Sequence, residues 1–205
     1  MKIQSVTLET PALKPIVDFY QSALGLEVIT ADPGMAHIHI GSSWLIFREN
    51  AALEGIYHFA FNIPGNQIRE GMAWLERAGI SLIANEKGET QIDFPNWNAE
   101  AAYFFDPAGN IVEIIARRDL QNESDHPFSP QSLTEISEIG IVTDDVPDWN
   151  TRAETEFGIL PFDKQKPSSD FSALGTDMGL FIVVRAPSML PTTPAWTRIA
   201  SCNPP

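Results

Sequence analysis

The chemistry open to a chain depends on which polar side chains stand among its apolar ones, and two places in this sequence do so. His58 lies inside the run Tyr57-His58-Phe59-Ala60-Phe61. Glu113 follows Asp106-Pro107-Ala108-Gly109-Asn110, where Pro, Gly and Asn satisfy a tight turn and fix how far along the next strand the glutamate falls. An imidazole and a carboxylate that face one pocket shift each other's proton affinity and can act as general base and orienting partner. His37 and His39 stand two apart, so a strand puts both on one sheet face. Their alternation with Ala36, Ile38 and Ile40 equally describes the polar outer side of a half-buried strand. Phe94, Trp97, Tyr103 and Phe105 would form an aromatic wall of the kind that binds small organic molecules. Tyr103 and Phe105 also alternate as ordinary core does, whereas Trp97 sits at the end of the long polar stretch 85–98 and is expected to act as a lid.

The elements that must position these residues read as three turns of one pattern. Residues 3–8 alternate as a strand, and a helix follows with Leu13, Ile16, Val17, Tyr20 and Leu24 on its apolar face and Gly25 as its stop. Short strands are expected at 26–29, 36–40 and 44–47, giving a βαβββ unit. The order repeats with a strand over 57–63, a helix over 66–78 and strands at 81–84, 101–105 and 111–116. A third, shorter copy has a strand over 135–142, a helix over 147–157 and strands near 171–174 and 180–185. The polar stretch 119–134 reads as a linker, with His126 solvated inside it, and 187–205 as an irregular proline-rich tail. One βαβββ unit cannot bury its sheet face alone. The expectation is an α+β fold in which the two units within 1–118 pair in one cupped mixed sheet, with 135–186 as a third unit.

Composition narrows the classes of function. The chain has 205 residues, 43% of them hydrophobic, enough to bury a core without staples. Its formal charge of −14 repels phosphate backbones and anionic lipid, so nucleic acid and membrane surfaces are not expected partners. The single cysteine, Cys202, allows no disulfide within the chain and points to a cytoplasmic home. No run approaches the roughly 20 apolar residues that span a bilayer, and the N-terminus lacks an apolar signal core.

Two segments resemble a known superfamily. Phe19-Tyr20-Gln21-Ser22-Ala23-Leu24-Gly25-Leu26-Glu27-Val28 is similar to the helix-to-strand signature of the vicinal oxygen chelate proteins, which include glyoxalases, bleomycin resistance proteins and extradiol dioxygenases. Asp106 to Glu113 resembles the same superfamily's last hairpin and strand. The resemblance covers 1–118 well and 135–185 more weakly. It implies metal-ligand positions at Ser5, Ile46, His58 and Glu113, of which His58 and Glu113 keep ligand chemistry. It also assigns Glu138 to the first-strand position of the third unit and Ile182 to its fourth. Imidazole plus carboxylate suits one divalent ion such as Fe, Mn, Zn or Ni. Ser5 and Ile46 would instead line the substrate pocket with Trp97 and Tyr103.

These readings imply a small-molecule enzyme of lyase or dioxygenase-like type using His58 and Glu113, either as metal ligands or as a proton-transfer pair. The rival is a metal-free binding or drug-sequestration protein of the bleomycin-resistance kind. A homodimer is expected, assembled through the third units, whose sheet face would otherwise lack cover; the alternative is that the third unit packs against the first domain of its own chain.

Overall fold

Period-two alternation builds a first, four-stranded sheet from β1 (Ser5–Thr10), β2 (Val28–Ile29), β3 (Met35–Ile40) and β4 (Ser43–Glu49), in the order β1-β4-β3-β2. The structure, a computed structural model, describes residues 1–30, 32–53 and 55–186. The expected irregular tail at 187–205 and Cys202 lie outside the described residues. Between β1 and β2 the chain forms α1 (Leu13–Val17), which runs on through Asp18–Ala23 with wider, π-type turns. Ile16, Tyr20 and Leu24 are the buried members of its expected apolar face.

The second unit comprises β5 (His58–Ile63), α2 (Ile68–Arg77), β6 (Leu82–Ile83), β7 (Ile92–Phe94), β8 (Ala99–Phe105) and β9 (Ile111–Arg117). The third comprises β10 (Glu135–Thr143), α3 (Val146–Phe157), β11 (Phe171–Thr176) and β12 (Gly179–Arg185). Asp145 caps α3 by accepting from the Asp148 N–H, Pro147 follows in the first turn and Gly158 ends it in the left-handed region. A fourth strand of this unit survives only as the bridge between Pro161 and Leu174.

The pairing of the units differs from the expectation. Units one and two do not share a sheet. β10 instead pairs antiparallel with β5, joining units two and three in one sheet ordered β11-β12-β10-β5-β9-β8-β6, with β7 on β8. All three units begin with a similar strand, so the pattern along the chain does not specify which two first strands meet. The third unit's leading edge is therefore used within the chain, which removes the reason for assembling a dimer through it. The 119–134 stretch packs along the start of α2: Asn122 accepts from the Gly65 N–H, and Gln67 donates to the His126 carbonyl.

One core lies between the two sheets. Leu8, Ile38, Leu45 and Phe47 from the first sheet meet Ile16, Tyr20 and Leu24 of the first helix, and Phe59, Phe61, Phe104 and Ile114 from the outer side of the second. The inner side of the large sheet has its own core, containing Ala60, Trp97, Ala99, Ala101, Ile115, Phe162, Leu180 and Ile182. At Gly41, φ is +53° and an added Cβ would lie 2.0 Å from the Thr134 carbonyl oxygen, so only glycine lets the β3–β4 turn seat against the start of the third unit.

Candidate metal centre

The inner face of the large sheet follows from strand parity. Along β5 it carries His58, Ala60 and Asn62, and along β9 it carries Ile111, Glu113, Ile115 and Arg117. On β10 the parity changes midway. Ile136 pairs with Phe61, but Glu138, not Ser137, pairs with Ala60, because a bulge inserts one residue. Without that bulge Glu138 would lie opposite Phe59 and point to the outer core. With it, Glu138 and Glu113 flank the small side chain of Ala60 from either side, and His58 stands one inward position along.

Three strands thus bring one nitrogen and two carboxylates together. Ligand atoms of His58, Glu113 and Glu138 lie within 4.8 Å of one another. His58 Nε2 is 3.6 Å from Glu113 Oε2 and 3.9 Å from Glu138 Oε2. The residues are buried, at 7%, 1% and 2% exposure.

Each of the three is held by a partner on its far side. His58 Nδ1 is 3.2 Å from the Ile111 carbonyl, which can only accept, so Nδ1 donates and Nε2 presents a lone pair in the neutral ring. Nε2 has no hydrogen-bond partner despite its burial. Tyr103, opposite Glu113 in the β8–β9 ladder, hydrogen-bonds to the Glu113 carboxylate. Arg117, fully buried, donates from Nη2 to Glu138 Oε1 and from Nε to Ser137 Oγ at 3.3 Å. Its guanidinium lies 5.1 Å from the centre of the Trp97 ring, a cation–π contact.

Burial, and next the charge of Glu138, push the Glu113 carboxyl well above the usual glutamate range, against Arg117 and the Tyr103 bond. Burial and the charges of Glu113 and Glu138 push the Tyr103 phenol up, so it stays a donor. The donor set suits a divalent cation, since an unpartnered imidazole nitrogen and two crowded carboxylates are what such an ion relieves. A partner holding each ligand from behind is the arrangement that orients metal ligands elsewhere.

Of the residues singled out in the sequence, His58, Glu113, Glu138 and Tyr103 meet here. Ser5 and Ile46 do not: they lie on the first sheet, where Ser5 pairs with Trp44 and Ile46 with Thr7. His37 and His39 share that sheet's open face, half-buried, with His39 4.6 Å from Trp44 ring to ring. Trp97 is no lid. At 8% exposure it is part of the cup's inner core, edge-on to Phe162 at 5.3 Å. Arg117 was not anticipated, although its place four residues beyond Glu113, in step with it on the same strand, was its signal.

No protein-family model matches the chain. It is similar to the metallothiol transferases FosB of Staphylococcus epidermidis and Staphylococcus haemolyticus, each 20% identical over 118 residues, 55% of this chain and 81% of the relative. Among solved structures, a candidate dioxygenase from Bacillus subtilis superposes with a TM-score of 0.62 at 16% identity, over 90% of this chain. The chain spans 63% of that protein's length. A glyoxalase I variant from Zea mays gives a TM-score of 0.59 at 13% identity, over 92% of this chain and 68% of its own. The mixed α+β architecture built from βαβββ units, and the solved structures that share it, bear out the resemblance read from the two sequence motifs: the chain has the fold of the vicinal oxygen chelate superfamily of glyoxalases and dioxygenases.

Proposed function

We propose that the chain is a metal-dependent enzyme acting on a small organic molecule, lyase or dioxygenase-like in type, with His58, Glu113 and Glu138 as ligands of one divalent first-row ion. The observation that carries this reading is the convergence of three buried ligand atoms within 4.8 Å from three separate strands. When bound, the ion would supply a Lewis acid for a substrate oxygen. The chain's own residues orient and enclose. Tyr103 holds Glu113, Arg117 holds Glu138, and Ile182, at the fourth family position, offers no ligand atom and leaves coordination open. Ala60, Ala99 and Ala101 with Trp97 keep the surroundings apolar and narrow.

The rival reading, a metal-free binding protein of the bleomycin-resistance type, has one observation in its favour: Arg117 already compensates Glu138. Elemental analysis of protein purified without chelator separates the two. The enzyme reading predicts about one first-row ion per chain, lost in His58→Ala and in Glu138→Ala. Wild-type protein that stays metal-free after equilibration with Fe(II), Mn(II), Zn(II) and Ni(II) would favour the binding reading. We also read the protein as a cytoplasmic homodimer, the compartment following from its having a single cysteine, Cys202.

A further inference from the structure

Arg117 stands in an unusual relation to the three candidate ligands. It is fully buried and its Nη2 occupies one oxygen of Glu138, Oε1, while the other, Oε2, is the one that faces His58 Nε2. A carboxylate can hold a cation with one oxygen or with both. We propose that Arg117 keeps Glu138 a one-oxygen ligand, so that it lowers the site's affinity for the ion and leaves a coordination position open for substrate. This rests on the metal-centre reading above.

The geometry around the guanidinium supports a fixed role. Nε is bonded to Ser137, the bulge residue that turns Glu138 inward, so the same side chain binds both the bulge and the carboxylate it re-aims. Nη1 has no hydrogen-bond partner, and its nearest counter-charge is Asp177 Oδ1 at 3.6 Å. Asp177 is itself held by Lys164 Nζ, at 2.9 and 2.8 Å from its two oxygens. Asp177 therefore offsets the Arg117 charge without drawing the side chain off Glu138. A positive charge bonded to a ligand opposes an incoming cation, and removing it frees Oε1; both effects make binding tighter. If Arg117 served only to brace the fold or aim Glu138, its removal would make binding weaker. The two accounts differ in sign.

The test is calorimetric titration of metal-free protein with Co(II), with the Co(II) visible bands as a second readout. Arg117→Met should bind Co(II) about tenfold more tightly, with weaker visible bands as coordination number rises. Asp177→Asn, which leaves Arg117 less compensated, should bind about threefold more weakly. Arg117→Lys, which can keep a charge but not the planar fork that bonds Ser137 and Glu138 together, should bind with an affinity between those of wild type and Arg117→Met. Weaker or unchanged binding by Arg117→Met, with wild type binding normally, overturns the proposal and leaves the metal-centre reading intact. Binding by Arg117→Met alone, with none by wild type, would sink the reading of the native chain as a metal enzyme and the proposal with it. Failure of every variant and of wild type to bind sinks both. If Arg117→Met does not fold, Asp177→Asn decides, and binding as tight as wild type or tighter overturns the proposal.

Discussion

At the scale of single residues, the site is a set of candidate ligands each fixed from behind. Tyr103 is the one whose contribution separates most cleanly from packing, because Phe has nearly the same shape without the hydroxyl. Tyr103→Phe should lower the thermal midpoint by only a few degrees, as one buried hydrogen bond is lost, while weakening divalent metal binding about tenfold, as loss of an outer partner commonly does. Equal affinity in the two proteins, measured by titration with Mn(II), would mean that Glu113 is held by the strand alone. His58 and Glu113 were legible in the sequence because each stands as a polar interruption in an apolar strand. Arg117 was not, since a charge at a strand end usually faces water, whereas here Ser137, Glu138 and the Trp97 ring stand around it.

At the scale of elements, the Asp106 turn connects the first unit to the second. Asp106 accepts from the Ala108 and Asn110 N–H groups at 2.9 and 3.0 Å, from Asn110 Nδ2 at 2.8 Å and from the Tyr20 hydroxyl at 3.3 Å. Burial outweighs these bonds and raises its carboxyl above the ordinary aspartate range. A carboxyl raised by folding contributes stability that is full below its unfolded pKa, about 3.9, and is lost as pH rises through the folded value. The wild-type urea midpoint should therefore fall relative to that of Asp106→Asn as pH rises out of the ordinary aspartate range. A difference between the two that is independent of pH would contradict this. The strands and helices themselves were readable from periodicity, but the β10 bulge was not. Glu135 to Thr143 breaks its alternation at Ser137-Glu138, two polar residues in a row between Ile136 and Ile139, but the break alone does not say which of them is the inserted residue, and that decides whether Glu138 faces the site or the outer core. Glu138 was assigned to its strand position, while the cup that contains it went to the wrong pair of units because the three first strands look alike in sequence.

At the scale of the whole molecule, the first unit remains without the partner that units two and three find in each other. The open face of its sheet carries Ser5, Thr7, Trp44 and Ile46, and β1 is an edge strand of that sheet. Within the chain one first strand meets another antiparallel, β5 on β10. A two-fold axis would set β1 against its own copy in the same sense, so a second copy of this chain is the occupant expected on that face. Sedimentation at micromolar concentration should give a dimer, with Ile46→Lys shifting it to monomer and leaving metal content unchanged. A wild-type monomer, or a dimer indifferent to Ile46→Lys, would remove this assembly.

Three strands bring His58, Glu113 and Glu138 within reach of one ion. Anomalous diffraction from crystals equilibrated with Mn(II) tests this most directly. The expected result is a single strong peak about 2.1 to 2.3 Å from His58 Nε2 and from one oxygen each of Glu113 and Glu138. A map with no peak among these residues at saturating Mn(II), or with the ion bound elsewhere, would contradict it.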